Sequence, residues 1–484
     1  MNRKWLALLL TGSLLTGAGG TYAGMKWLGN TNGNSVLEQT IFEKEKANSE
    51  LADSKDLEKV NLAYDLIVKR YVEQVDSEKL IEGAIQGMLT VLDDPYSVYM
   101  DKETAKQFSQ SLDSSFEGIG AEVGMENGKI VIVSPFKNSP AEKAGLKPND
   151  EILKVDGVRV EGLDLNKATL KIRGKKGTKV TLEISRKGLK VPLSIDVTRD
   201  EIPLETIHAS VKKQDGEKIG YIEITSFSED TAADFKEELR ALEKQEIEGL
   251  IIDVRGNPGG YLLSVEEILK EFVPKDKPFV QIEMRNGEKE RHFSSLTKKK
   301  EYPVVVLINK GSASASEILA GSLKEAAGYQ LVGETTYGKG TVQQPLSMGD
   351  GSNIKLTLFK WLTPDGNWIH KKGIEPDIAM KQPAIFETHP IQIEKPLEED
   401  MNSEQIKNAQ EILVGLGFEP GRTDGYYSAE TTVAVKGFQQ HYGLQPTGKI
   451  DAKTAAKLED EAMKEMKKEQ NDLQLQTALR LITQ

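Results

Sequence analysis

The chain of 484 residues contains no cysteine. That absence excludes disulfides, thiolate metal sites and cysteine nucleophiles, and it fits a protein that meets oxidising surroundings after export. Histidine is scarce as well. His208, His292, His370, His389 and His441 are scattered, and no His-Glu-x-x-His pair occurs, so a zinc hydrolase is not expected. An excess of positive charge is also missing: 63 Lys and Arg stand against 75 Asp and Glu, a formal charge of −12. Phosphate binding needs concentrated Lys and Arg, so nucleic acid is not an expected partner. The balance of 38% hydrophobic and 29% charged residues is that of a soluble globular chain.

What is present begins with Arg3 and Lys4, an apolar run from Trp5 to about Leu15, and small residues through Ala23. This has the shape of a secretory signal, with Thr21-Tyr22-Ala23 as the cleavage site. Read on to Met25, the stretch is about 21 residues, enough to remain as a membrane anchor with Arg3 and Lys4 inside. Under either use of residues 1–28, the bulk of the chain is exported. The length exceeds one core, so several domains are expected.

Residues 36–112 read as helical, with Val60, Ala63, Leu66, Ile67 and Tyr71, then Leu80, Ile81, Ala84, Ile85 and Met88, at helical spacing. This region can pair two protomers or pack on its own chain. Residues 113–199 turn to short strands, with Ser139-Pro140 opening a helix turn and Asp156-Gly157 a hairpin. Residues 200–380 alternate strands and helices, which predicts βαβ units and a mostly parallel sheet. A Pro- and Glu-rich linker covers 381–401. A small helical module with an internal half-repeat covers 402–460, and 461–484 read as a charged helical tail.

The chemistry gathers after the apolar strand Val304–Asn309. Lys310-Gly-Ser-Ala-Ser-Ala-Ser-Glu317 follows it and opens a helix. Reacting atoms in open α/β sheets collect beyond the carboxyl ends of strands, and a helix N-terminus offers free N–H groups to an oxyanion. A serine here can be a nucleophile with the Ala315 N–H as stabiliser, or a helix cap. Ser312, Ser314 and Ser316 stay equal on this argument. Glu317 reads as a partner of the helix N-terminus, and Asp253 as support for the Arg255 turn. With no histidine in a motif, the candidate base is Lys339, held between Gly338 and Gly340, if burial lowers its pKa from about 10.4 by roughly 3 units. Gly333-x-x-x-x-Gly338-Lys339-Gly340 mimics a phosphate loop, but Gly340 replaces Ser/Thr and an extended segment follows.

Arg255-Gly-Asn-Pro-Gly-Gly260, Gly311-Ser-Ala-Ser-Ala-Ser-Glu-Ile318 and Gly338-Lys-Gly-Thr-Val-Gln343, in this order, resemble the C-terminal processing peptidases. The resemblance implies a multidomain α/β chain: a crotonase-like core, an inserted and mostly β PDZ domain, an N-terminal helical region and a small all-α C-terminal module. It implies a serine–lysine dyad of Ser314 and Lys339, with Gln343 orienting the lysine and no metal or other cofactor. The Gly259-Gly260 turn then faces Ala315 across an oxyanion hole, with the donating glycine left open.

Phe116-Glu-Gly-Ile-Gly120, Ser139–Leu146 and Asp150–Gly157 resemble a PDZ domain of bacterial proteases. Such domains bind extended C-terminal tails by strand addition, which makes Gly118, Ile119 and Gly120 the carboxylate loop and protein substrates with apolar tails the partners. Arg173, following the groove helix, is a candidate sensor of the bound tail, beside an ordinary surface role. Gly415–Gly425, Thr431–Gln439 and Gly443–Gly448 resemble a peptidoglycan-binding module. Two other readings stand beside this one: a non-catalytic, wall-tethered PDZ scaffold, and a Ser-His-Asp hydrolase needing a histidine beside Ser314.

Overall fold

The computed structural model describes residues 55–484, apart from 113–114, 127, 137, 164, 187–188, 190, 392 and 394. The expected signal or anchor lies outside the described residues, among which no helix is long and apolar enough to cross a membrane. The chain divides into two units, Met1–Val91 and Leu92–Gln484. In the first, helices α1 (Lys55–Arg70) and α2 (Ser77–Thr90) follow the apolar spacing of the sequence. Asp76 caps α2 by accepting from Glu78 N at 3.0 Å. Their apolar residues Leu57, Val60, Leu66, Ile67, Ile81 and Met88 are exposed.

The second unit opens with a turn in which Asp94 accepts from Ser97 Oγ at 2.6 Å and Tyr96 N at 3.1 Å. Strand β1 (Val98–Met100) and helix α3 (Lys102–Leu112) follow. The inserted segment is framed by β2 (Ser115–Gly118) and β9 (Asp200–Pro203), an antiparallel pair that brings Gly118 opposite Asp200. Between them β3 (Ala121–Glu126), β4 (Lys129–Pro135), β5 (Glu151–Val155), β6 (Val158–Arg159), β7 (Lys179–Ser185) and β8 (Leu193–Thr198) form an antiparallel sheet in the order β3-β4-β5-β7-β8, with β6 on β5. Short α4 (Pro140–Lys143) and α5 (Leu165–Ile172) complete it. Its own core includes Ile132, Val180, Leu182 and Ile184. Asp156 and Gly157 both have positive φ, as a two-residue hairpin turn requires.

The core strands are β10 (Ile207–Gln214), β11 (Glu217–Ile224), β12 (Gly249–Asp253), β13 (Pro278–Glu283), β14 (Lys289–Phe293), β15 (Val304–Ile308), β16 (Gln330–Gly333), β17 (Thr341–Ser347), β18 (Asn353–Leu362) and β19 (Ile378–Ala379). Helices α6 (Thr231–Glu243), α7 (Leu262–Leu269) and α8 (Ala315–Glu325) link them. One sheet runs β10-β11-β12-β15-β16-β19, parallel except for the β10–β11 hairpin; the second runs β1-β18-β13-β14, with β17 also on β18. Because β1 joins β18, core residues precede the inserted sheet as well as follow it. Every residue of β12 and β15 is buried, the mark of strands covered on both faces. Phe235, Val265 and Leu319 of α6, α7 and α8 belong to the core on one face.

The other face is covered from an unexpected direction. Helices α9 (Glu404–Gly415), α10 (Ala429–His441) and α11 (Ala452–Met466) form the C-terminal module around Ile406, Val435, Phe438 and Leu458. Its half-repeat is visible in two buried glutamines. Gln410 accepts from Gly425 N and Gln439 from Gly448 N, each donating back to a threonine that opens the next helix. The linker contributes Ile385, Ile391 and Leu397 to this core. Residues 461–484 differ from a single charged tail: α11 ends at Met466, and α12 (Leu473–Ile482) returns to the main sheet. There Leu475, Ala478, Leu479 and Ile482 pack against Ile219, Ile251, Val305, Leu307 and Val332. Charged residues crowd 457–469, whereas Leu473–Ile482 carries an apolar stripe at helical spacing.

Candidate active site

Ser314 sits where β15 turns into α8, with φ 55° and ψ −114°. A non-glycine residue there is strained, and such strain persists only where neighbours hold it. The holder is Glu317, fully buried, whose carboxylate accepts four hydrogen bonds. Oε2 takes the backbone N–H of Ser314 at 2.8 Å and that of Lys339 at 2.8 Å. Oε1 takes Gly338 N at 2.7 Å and Thr336 Oγ1 at 2.6 Å. One carboxylate therefore joins the serine turn to the lysine loop.

The neighbouring serines have other employment. Ser312 Oγ donates to Val254 O at 2.7 Å and accepts from Asn309 N; Ser316 Oγ donates to Asn257 O at 2.9 Å; both residues are fully buried. Ser314 is half-buried; its side chain belongs to a capping box with Glu317 at the helix start and is not bonded to a backbone carbonyl as those of Ser312 and Ser316 are.

Lys339 lies in a loop that needs both its glycines. A Cβ on Gly338 would stand 3.0 Å from Gly373 N, and one on Gly340 2.7 Å from His370 N. The backbone is fixed by Trp361 Nε1 donating to Lys339 O at 2.8 Å and Trp368 Nε1 donating to Gly340 O at 2.7 Å. Lys339 Nζ rests over the Tyr96 ring, 4.9 Å from its centre. Burial, aided by the Lys355 cation, pushes the Lys339 pKa down against the opposing pull of Asp94 and Glu317. Burial and a hydrogen bond with Tyr337 push Tyr96 itself up to about 12, so it is a neutral phenol near pH 7. Gln343 Nε2 donates to Thr341 Oγ1 at 2.9 Å and Thr357 Oγ1 at 3.0 Å. Among the described residues no hydrogen bond joins the Ser314, Lys339 and Gln343 side chains to one another.

The Gly-Gly turn lies directly against the serine. A Cβ on Gly259 would meet Ser314 Cβ at 2.9 Å and Ala315 N at 3.0 Å. Asn257 clips the two together: its carbonyl accepts Ala313 N at 3.0 Å and its side chain accepts Gly259 N at 2.8 Å. That bond occupies the buried Gly259 N–H. Gly260 is exposed, its φ is 144°, and its N–H, like that of Ala315, has no partner among the described residues. Of the two glycines, Gly260 is thus the one whose N–H is unpaired among the described residues.

No histidine is hydrogen-bonded to Ser314 among the described residues. His370 approaches the lysine loop but stacks on Trp368, with ring centres 5.1 Å apart, and His292 pairs with Glu266 at 2.7 Å. In the inserted sheet, Gly118 ends β2, and Ile119 is buried with its carbonyl accepting Ala141 N at 2.7 Å. Gly120 has φ 71°, and a Cβ there would sit 2.5 Å from Ser139 Cβ. Arg173 is exposed, with its guanidinium 4.9 Å from the centre of the Phe116 ring. Tyr96 carried no sequence signal. Its place beside Lys339 comes from the Asp94 turn, 243 positions earlier in the chain than the lysine (339 − 96).

Four family models match the chain: peptidase family S41 over residues 218–380, a PDZ domain over 118–197, a putative peptidoglycan binding domain over 402–458, and the N-terminal domain of the activating protease CtpB over 14–104. The carboxy-terminal processing protease CtpB of Bacillus subtilis is 61% identical over 480 residues, covering 99% of both chains. CtpA of the same organism is 42% identical over 449 residues, covering 93% of both. Among solved structures, the photosystem II D1 C-terminal processing protease is 28% identical with a TM-score of 0.42, covering 66% of this chain and 85% of that one. With this ancestry and a PDZ domain set into an α/β core, the chain belongs to the carboxy-terminal processing proteases of peptidase family S41, and it is a serine-type peptidase.

Proposed function

We propose that this peptidase is exported and cleaves proteins with apolar C-terminal tails, using Ser314 as nucleophile and Lys339 as general base. The observation that carries the reading is the shared Glu317 carboxylate, which binds the backbones of both residues beside two unpartnered N–H groups. Ser314 Oγ attacks the scissile carbonyl carbon as its proton passes to the neutral Lys339 amine. The oxyanion takes the N–H groups of Gly260 and Ala315. Lysine then returns the proton to the leaving amine, leaving an acyl-serine. A water attacks that ester, gives its proton to Lys339, and the same proton regenerates the Ser314 hydroxyl.

Lys339 must leave the Tyr96 ring and Gln343 must turn from its threonines for this to happen. The PDZ domain supplies the trigger: a tail seated at Gly118, Ile119 and Gly120 draws Arg173 from Phe116 and moves the domain about its β2–β9 frame. Arg173→Ala is expected to slow turnover of a tailed substrate; unchanged rates sink that step. For the chemistry, Ser314→Ala and Lys339→Ala are each expected to abolish cleavage of an unfolded polypeptide with an apolar C-terminus. Activity retained in Lys339→Ala overturns the base assignment.

The order of the seven segments, the export segment as signal or anchor, wall binding by the C-terminal module, and a homodimer formed through the exposed faces of α1 and α2 complete the reading. N-terminal sequencing of the mature protein, sedimentation of the full chain with purified cell wall, and analytical ultracentrifugation test the last three.

A further inference from the structure

The oxyanion turn is tied to the far end of the chain. Arg255 opens that turn, and its guanidinium lies between two carboxylates. Nε and Nη2 donate to Asp253, at 3.0 and 2.6 Å. Nη1 and Nη2 donate to Asp472 Oδ1 and Oδ2 at 2.9 and 2.8 Å, a parallel two-bond fork, and Nη1 reaches Gln474 Oε1 at 3.1 Å. Asp253 is also held by Tyr221 OH at 2.7 Å and accepts Arg255 N at 2.9 Å. Asp472 is itself fixed. It caps α12 by accepting Leu475 N at 2.9 Å, and Gln382 Nε2 donates to it. All three side chains are largely withdrawn from solvent, Asp253 at 4%, Asp472 at 14% and Arg255 at 15% exposure. Bidentate arginine–carboxylate pairs fix orientation as well as position.

We infer that Asp472 is a positioning residue for catalysis: through Arg255 it sets the turn that aims the Gly260 N–H at the reacting carbonyl. Gly256, Gly259 and Gly260 all adopt positive φ, so this glycine-rich backbone needs fixing along its length. Gly256 N donates to Asn309 Oδ1 at 2.8 Å and Asn257 Nδ2 to Ile224 O at 2.8 Å, while the Phe227–Gly260 bridge holds the far end. Asn257 holds the serine side of it and Arg255 the strand side. Residues beyond the C-terminal module thus complete the catalytic turn.

The inference rests on the proposed role of Gly260 as oxyanion donor. It is tested in the full-length chain by Asp472→Asn, which keeps a cap acceptor but removes the charge, and by Asp472→Glu. Ile482→Ala serves as control, loosening the same helix without touching the guanidinium. Turnover of an unfolded polypeptide with an apolar C-terminus and thermal midpoints are read for each. Asp472→Asn is expected to lower kcat about tenfold or more with KM within about twofold, the scale of effect that a displaced catalytic group produces. Asp472→Glu should recover part of the loss, and Ile482→Ala should lower the midpoint while keeping kcat. A kcat that merely follows the midpoint across the three variants overturns the inference, as does an Asp472→Asn enzyme that turns over like the parent. Should Asp472→Asn not fold, Gln382→Ala removes one of the hydrogen bonds to Asp472 and carries the same expectation at smaller size. Cleavage persisting in Ser314→Ala removes the underlying reading itself, and that result is recognised without the Asp472 variants.

Discussion

From full burial, Glu317 ties the Ser314 turn to the Lys339 loop. Two of its four donors are buried and two partly buried, and a glutamine in its place presents an N–H where two of them need an acceptor. Each buried donor left unmatched costs about 1–3 kcal/mol. Glu317→Gln is therefore expected to lower the thermal midpoint and to cut kcat/KM roughly a hundredfold through misplaced Ser314 and Lys339. A variant within twofold of the parent in both contradicts the clamp. Lys339 offers a second test at this scale. A lysine base works when neutral, so under the proposed role activity should rise with pH through a Lys339 pKa already depressed by burial and by Lys355. Removing the neighbouring cation in Lys355→Met raises that pKa and moves the acid limb of kcat/KM to higher pH. Asp94→Asn removes an opposing anion and moves it lower. Limbs that stay fixed in both variants exclude Lys339 as the titrating group. In the sequence Glu317 read as a helix-terminus partner. Its bonds to Gly338 and Lys339 were invisible because those residues lie 21 and 22 positions on, in another loop.

Among the elements, α12 departs most from expectation. Its contact with β12 is close enough to dictate glycine at the strand's first residue: a Cβ on Gly249 would stand 2.2 Å from Ile482 Cγ2. Gly249→Ala should destabilise by about 1–3 kcal/mol, as overpacked cores do. Adding Ile482→Ala should cost less than the sum of the two single changes, measured by denaturant unfolding; strict additivity denies the contact. The Asp472 cap of this helix has a pH signature. Burial pushes its carboxyl up, but the hydrogen bonds from Arg255, Leu475 N and Gln382, together with the Arg255 charge, hold it below the ordinary range. Its folded pKa is thus depressed, so its stabilisation is present above the unfolded value of about 3.9 and is lost as pH falls through the folded value. The other core elements were legible because β12, β15 and α8 carry the continuous apolar runs and capped starts that local rules read. The tail was not, because ten residues of α12 amid charges carry no local sign of the sheet that they cover.

For the whole molecule, the inserted domain and the C-terminal helix differ in what the core needs of them. The PDZ domain enters and leaves through paired β2 and β9, with Gly118 opposite Asp200, and it has a core of its own. A chain in which residues 119–199 are replaced by a short linker should keep a folded protease core, seen as a cooperative thermal transition. Truncation before Leu473 should not. It uncovers Ile219, Ile251, Val305, Leu307 and Val332, and an apolar sheet face of that kind drives aggregation. The expected result is insoluble or dye-binding protein without activity; a soluble, cooperatively folding product would show that α12 is dispensable.

By itself the sequence determined the export-like N-terminus, the order of domains, and the βαβ core. It also marked the three glycine- and serine-rich blocks, because each depends on short-range signals: apolar periodicity, capping residues and glycines at forced turns. Its own chemistry reached a serine at a strand-to-helix turn and a lysine between glycines. The three-block resemblance singled out Ser314; only the tertiary structure showed Ser312 and Ser316 bonded to backbone carbonyls, left the Gly260 N–H unpaired and placed Tyr96 against Lys339. It alone joined Arg255 to Asp472, 217 residues apart. Such pairings are fixed by packing two distant segments against one sheet, and no local pattern in either segment encodes the other.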